Sequence, residues 1–160
     1  MLKKLSLDAT FKSMGPESDE PTAPLIIEGY ASTRDLDRSC DVILPSAWTT
    51  SGGLKNFSNN PILLFNHDYD KPIGKVLDMA GDDKGLRVRG SISPSVEKIY
   101  NLVKEGILTT FSVGFCIRDA EYDDMADGLV IKDAELLEIS VVSIPCNQDA
   151  TFSVAKSFDS

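Results

Sequence analysis

Apolar and polar positions alternate along several stretches of this chain, and the stretch that organises the others is Thr109-Thr110-Phe111-Ser112-Val113-Gly114-Phe115. Side chains leave a strand on alternate faces, so Phe111, Val113 and Phe115 are expected on a core face and Ser112, Gly114 and Cys116 on a nearly bare one. Earlier, residues 2 to 12 alternate as a half-buried strand, and Leu25-Ile26-Ile27-Glu28-Gly29-Tyr30-Ala31 reads as a second. Residues 14 to 24 between them, rich in Pro, Ser and acid, read as a mobile loop. The runs 73 to 79 and 86 to 92 flank Gly81-Asp82-Asp83-Lys84-Gly85, a hairpin signature. Helix signals are fewer. Pro45 to Thr50 starts a short helix that Gly52-Gly53 ends. Ser93-Pro94 opens a longer one, with Val96, Ile99, Tyr100 and Val103 at helical spacing up to Gly106. The polar segment 121 to 128 then turns the Ser112 strand into Leu129-Val130-Ile131 and the long run Leu136 to Pro145. The pattern predicts a mainly β fold of the α+β class.

At 160 residues the chain suits one domain with a single core, expected over about 25 to 154, with 14 to 24 and 155 to 160 mobile. A net charge of -9 with no basic run argues against binding nucleic-acid phosphates and makes cationic partners easier to accommodate. Cys40, Cys116 and Cys146 are widely spaced, form no CxxC pair and have one histidine to join, so no zinc site is expected. No run approaches the ~18 apolar residues of a membrane span, and the N-terminus turns polar at once. These features predict a soluble protein of a reducing compartment, without cofactor or membrane partner. Asp35, Asp37 and Asp41 invite a calcium reading, but the turn glycine and the closing glutamate of a calcium loop are missing, and a solvated loop is expected instead.

Ser112 is the most nucleophilic alcohol of the organising strand, and a serine hydroxyl needs a base within hydrogen-bond reach. The chain offers one histidine, His67, at the polar end of the apolar run Pro61 to Phe65. A lone histidine is more often a surface or hydrogen-bonded residue than a catalyst. Glu138 sits between Leu137 and Ile139, and a carboxylate taken out of water costs several kcal/mol unless paired or hydrogen-bonded. A hairpin pivoting near residue 125 puts Ser112 and Glu138 nearly opposite, within a residue or two of register. With His67 they make up a nucleophile, a base and an orienter. Many β proteins hold a Ser, a His and a Glu, so spacing alone leaves the arrangement open.

Four segments in order carry a more specific signal: Ile27-Glu28-Gly29-Tyr30-Ala31-Ser32 with Asp41-Val42-Ile43-Leu44-Pro45; Ile62-Leu63-Leu64-Phe65-Asn66-His67-Asp68 with Pro72-Ile73-Gly74; Phe111-Ser112-Val113-Gly114-Phe115; and Leu137-Glu138-Ile139-Ser140-Val141-Val142-Ser143-Ile144-Pro145-Cys146-Asn147. From about Leu25 to Val154 the chain resembles the prohead maturation proteases of tailed bacteriophages. That family is similar in fold to the herpesvirus assemblins, which implies an antiparallel β-barrel flanked by a few helices. The resemblance makes Ser112 the nucleophile, His67 the base and Glu138 the orienter, with Glu135 and Asp68 as neighbouring acids for the third role. It further implies an enzyme inside the assembling procapsid, in the host cytoplasm, whose substrates are scaffold protein, major capsid protein and itself. A homo-oligomer is left open. The uncluttered face at Gly114 suggests substrate lying extended there as an added strand. Many relatives carry longer polar tails, and Lys156-Ser157 is a polar site near the end where self-cleavage could fall.

Two other classes stand beside the endopeptidase. A noncatalytic β-barrel module binding a capsid or scaffold strand has little reason to keep an alcohol, a lone imidazole and a buried acid together. A calcium-stabilised module built on Asp35 to Asp41 would melt higher with calcium.

Overall fold

The computed structural model describes residues 23 to 155. The strand expected over 2 to 12, most of the loop expected over 14 to 24, and Lys156-Ser157 lie outside them. Among the described residues eight strands and two helices follow in order: β1 (Leu25–Thr33), β2 (Val42–Ile43), α1 (Lys55–Ser58), β3 (Ile62–Phe65), β4 (Asp68–Gly81), β5 (Gly85–Ile92), α2 (Glu97–Lys104), β6 (Thr110–Asp123), β7 (Gly128–Val142) and β8 (Phe152–Val154). A 3-10 turn over Pro45–Trp48 replaces the short helix expected there, and α1 follows the two glycines.

β7 is the hub of the sheet. Antiparallel β6 runs along its whole length, while β2 and β3 pair with it in parallel, at Val130 and Ile131 and at Ile139 to Val141. From β3 the sheet continues through β4, β5 and β1 to β8. The strand extends across Lys132 to Glu135, where the sequence pattern suggests a break. Ile131 and Ala134 are both buried although three residues apart, which strict alternation forbids, and register shifts around Asp119 and Asp133 absorb the extra residue. β-branched Val130, Ile131, Ile139, Val141 and Val142 suit such a strand.

The core gathers where β7 meets its neighbours, with Leu63, Phe111, Ile131, Ile139 and Val141 each fully buried. The Phe111 ring lies 4.7 Å from that of Phe152, and Trp48 meets Phe115 edge-on at 5.8 Å. Tyr100 and Val103 turn the buried side of α2 inward, and the Tyr100 hydroxyl donates to Ala23 O at 2.8 Å. That helix begins at Glu97, four residues after the expected serine cap. Ser93 N still donates to Ile73 O on β4 at 2.9 Å, so the chain has not left the sheet at that point.

The architecture is mostly β with few helices, but two features of the expected antiparallel barrel need correction. Two of the strand pairs are parallel. The sheet is also not closed, because β8 has only three residues and reaches β6 through one bridge, Thr110 to Thr151, beside hydrogen bonds from Phe111 N to Ala150 O and from Phe152 N to Thr109 O.

Candidate active site

The hairpin joining β3 to β4 has two residues in its turn, Asn66 and His67, between the paired Phe65 and Asp68. Both have positive φ, 52° and 60°, the backbone that lets so short a turn follow the strand twist. Left-handed backbone costs a residue with a Cβ roughly 1–2 kcal/mol, and three hydrogen bonds offset it, two to β7 and one to Ser143 just after it. Asn66 N donates to Val141 O at 2.9 Å, His67 N to Ser140 Oγ at 2.9 Å, and Ser143 N to Asn66 Oδ1 at 3.1 Å. The imidazole is thereby aimed across the C-terminal half of β7 toward β6.

There it meets the other two predicted residues. His67 Nε2 lies 3.1 Å from Ser112 Oγ, and His67 Nδ1 is hydrogen-bonded to Glu138 Oε2. Ser112 and Glu138 are 7 % exposed, while the imidazole side chain is 45 % exposed, so the ring bridges buried partners from a wet turn. The register differs from the expected one by two residues. Ser112 faces Ser140, and Glu138 faces Gly114, which puts the acid diagonally across from the alcohol on the same side of the ribbon. Glu138 keeps both oxygens engaged, Oε2 with the imidazole and Oε1 with the Ser140 hydroxyl, which donates at 2.7 Å. That satisfies a buried carboxylate.

The face carrying Ser112 and Gly114 is not bare, contrary to the alternation argument. A Cβ built on Gly114 would lie 2.6 Å from Glu138 Oε2, so this glycine leaves room for the acid. The open space lies on the other side. A cavity of about 170 Å³ beside Ser112 is lined by Ala31, Thr33, Val113, Phe115, Cys146 and Asn147 among others. Val113 and Phe115 therefore pack on the core and also border solvent-accessible space. The chemistry-bearing residues alone did not point to this wall, but Ala31, Cys146 and Asn147 fall within the four recurring segments. Asn147 fastens it, with Nδ2 donating to Thr33 O at 3.1 Å and Oδ1 3.1 Å from the Thr33 hydroxyl.

The neighbouring acids are occupied elsewhere. Glu135 takes hydrogen bonds from Asn56 Nδ2 at 2.9 Å and Arg118 Nη2 at 3.1 Å, and these two donors hold its carboxyl below the ordinary carboxylate range. Asp68 Oδ1 accepts Asp70 N at 2.9 Å. In the charged loop, Asp37 Oδ1 accepts from Ser39 N and Asp41 N, and Asp41 Oδ1 from Leu129 N at 2.8 Å, so these side chains brace the loop backbone.

A family model for caudovirus prohead serine proteases matches residues 12–160. The chain belongs to that family. It is 49% identical over 154 residues to the prohead protease of Escherichia phage T5, covering 96% of this chain and 72% of the relative. The prohead protease of Enterobacteria phage HK97 is 33% identical over 168 residues, covering 99% and 71%. Among solved structures, the capsid assembly protease of bacteriophage T4 superposes with a TM-score of 0.60 at 13% identity, over 79% of this chain and 88% of that one. The herpesvirus protease of KSHV, solved with a hexapeptide phosphonate inhibitor, gives 0.54 at 9% identity, over 83% of this chain and 65% of that one. At these identities the two structures testify to a shared fold, herpesvirus protease-like, and the family model and the two phage relatives to kinship with prohead proteases.

Proposed function

We propose that this member of the prohead protease family is a serine endopeptidase of procapsid maturation, with Ser112 as nucleophile, His67 as general base and Glu138 as its orienter. The observation that carries the reading is the chain's sole imidazole lying between the Ser112 hydroxyl and the Glu138 carboxylate, one ring nitrogen to each. Glu138 holds Nδ1–H, which leaves the Nε2 lone pair facing the alcohol. As Ser112 Oγ attacks the scissile carbonyl, Nε2 takes its proton, and the buried carboxylate stabilises the imidazolium that forms. The proton passes to the leaving amine, an acyl-enzyme remains on Ser112, and water activated by the same imidazole releases it. The Ser112, His67, Glu138 constellation is assembled by geometry, so its chain order of His, Ser and acid is no obstacle.

Substrate has a natural approach. Phe111 N–H points away from β7, to Ala150 O, and two residues on Val113 faces the same edge, where among the described residues β6 has no partner strand. An extended segment added there lies along the cavity wall with its backbone beside Ser112. Scaffold protein and major capsid protein inside the procapsid supply such segments, and the protease's own termini supply others. A 29% identical stretch spanning 20% of a protein named a capsid polyprotein, from Pseudomonas phage PAJU2, supports the link to capsid protein. The test is co-expression with scaffold and capsid proteins, comparing wild type with Ser112→Ala and His67→Ala. Processing should stop in both variants. Equal processing in all three would leave a module that binds strands without cutting them.

A further inference from the structure

Ser140 is a hydroxyl buried to 0 % exposure in the apolar run of β7, and the nucleophile, base and orienter roles leave it without an assignment. Its backbone lies between Leu64 of β3 and Ser112 of β6. Its Oγ accepts the backbone N–H of His67 at 2.9 Å and donates to Glu138 Oε1 at 2.7 Å. A buried serine with a purely structural role is satisfied by any nearby carbonyl. Here one donor and one acceptor function of a single hydroxyl are directed to two members of the same site.

We propose that Ser140 is a positioning residue of this protease, the joint that sets the base and its orienter relative to each other. The inference rests on the triad reading. Without the hydroxyl, Glu138 Oε1 loses its donor, and the carboxylate is free to turn about its last torsion, a broad two-fold rotor, and carry Oε2 off the imidazole. The His67 turn simultaneously loses one of its two ties to β7, in a left-handed stretch that depends on them. Residues two apart on a strand share a face, which puts the Ser140 hydroxyl beside the Glu138 carboxylate.

The experiment compares wild type, Ser140→Ala and the near-isosteric Ser140→Cys, whose thiol is a weak donor. A fluorophosphonate probe reads the labelling rate of Ser112, and the downfield proton resonance of the histidine Nδ1–H reads the ring's contact with Glu138. With one histidine in the chain that resonance has a single source. Labelling should fall on the order of 100-fold in both variants, the loss expected for a misplacement near 1 Å, and the resonance should shift upfield or vanish while melting of the Cys variant stays close to wild type. A folded variant that keeps the wild-type resonance, or labels at the wild-type rate, overturns the proposal. Ser112→Ala separates this from the parent reading. If that variant still cleaves substrate, the triad itself is wrong, whereas an inert Ser112→Ala beside an unimpaired Ser140→Cys refutes only the joint. The resonance needs no turnover, so it decides even where the isolated protein is silent.

Discussion

Gly114→Ala is the sharpest single perturbation of the proposed site, because the nearest atoms to the added methyl all belong to Glu138, the proposed orienter. The new Cβ would lie 2.6 Å from Glu138 Oε2, 3.0 Å from Cγ and 3.1 Å from Cδ. Restoring a contact between 3.0 and 3.4 Å moves the oxygen by about 0.4 to 0.8 Å. Gly114 is not among the residues of positive φ, so alanine fits the backbone, and the lower entropy of the unfolded chain contributes about 0.4–1 kcal/mol in its favour. Pushing aside the far end of one side chain offsets a similar amount, and net stability should change by less than about 1 kcal/mol. Catalysis should not be so tolerant. The displaced oxygen is the one bound to His67 Nδ1, and a shift of this size lowers turnover on the order of 100-fold, equivalent to about 2.7 kcal/mol of transition-state stabilisation.

The assay is a double-mutant cycle on peptide cleavage with Glu138→Ala, which deletes the group the methyl strikes. If Gly114 serves the acid, Gly114→Ala costs nothing further in the Glu138→Ala background. If it serves substrate, the two losses multiply and the single variant raises KM with kcat unchanged. Multiplying losses would refute the reading.

Three further outcomes follow from the same geometry. Glu138→Gln should fold and lose activity on the order of 10³–10⁴-fold, because an amide no longer enforces the imidazole tautomer; retention of more than a tenth of the activity in a cleavage assay would remove Glu138 from the site. Glu135→Gln should leave cleavage intact but flatten the acid side of the stability profile. A carboxyl held below its ordinary 4.5 contributes stability that is complete above that value and is lost as pH falls through the lowered one, so wild type should lose more melting temperature than the variant below pH 4.5, and parallel curves would contradict the Asn56 and Arg118 pairing. Phe111→Ala, which empties a fully buried ring site against Phe152, should lower unfolding free energy by about 3–5 kcal/mol in urea titration, and a loss under about 1 kcal/mol would place the core elsewhere.

Much of this was legible in the sequence, and the failures share a cause. Alternation located β1, the β4–β5 hairpin and β6, most cleanly in β5, where buried Leu86, Val88, Gly90 and Ile92 alternate with Arg87, Arg89 and Ser91, whereas in β6 the adjacent Phe111 and Ser112 are both buried. It failed where a strand departs from period two. The shifts that let β7 run unbroken through Lys132 to Glu135, and the offset that placed Ser140 opposite Ser112, follow from pairing along both strands, which one strand's pattern does not record. β2 and β8, of two and three residues, are too short to display a period. The three site residues were nameable because each was unusual in its setting: an alcohol on a strand, a single imidazole, an acid among aliphatics. Ser140 falls within the Leu137 to Asn147 segment but carries no such mark, because a serine in a strand becomes informative only when its partners are known. Gly114 is noticeable for its missing side chain and suggests room for a substrate strand, whereas the group within reach of an added Cβ is Glu138. A sequence shows that space exists, not which neighbour fills it.

The proposed site also departs from the expectation that catalytic groups sit on loops held by a rigid scaffold. Glu138 and Ser140 belong to the interior of β7, Ser112 to β6 paired with it, and His67 to a two-residue turn whose amides hydrogen-bond to β7 at Val141 and Ser140. The hydrogen bonds to the His67 amide, the Asn66 amide and the Glu138 carboxylate thus all involve β7 residues. Moving β3 relative to β7 by one register step would swap the side chains facing His67 and break both turn hydrogen bonds at once, so the parallel β3–β7 pairing, three residues long, fixes the base as much as any side chain does. Parallel pairing without a helical crossover of its own is a weak element in isolation. Leu63 and Ile139, paired across that junction and each fully buried, supply the apolar contact that secures it, so the same packing that holds the sheet together keeps the imidazole within reach of the alcohol.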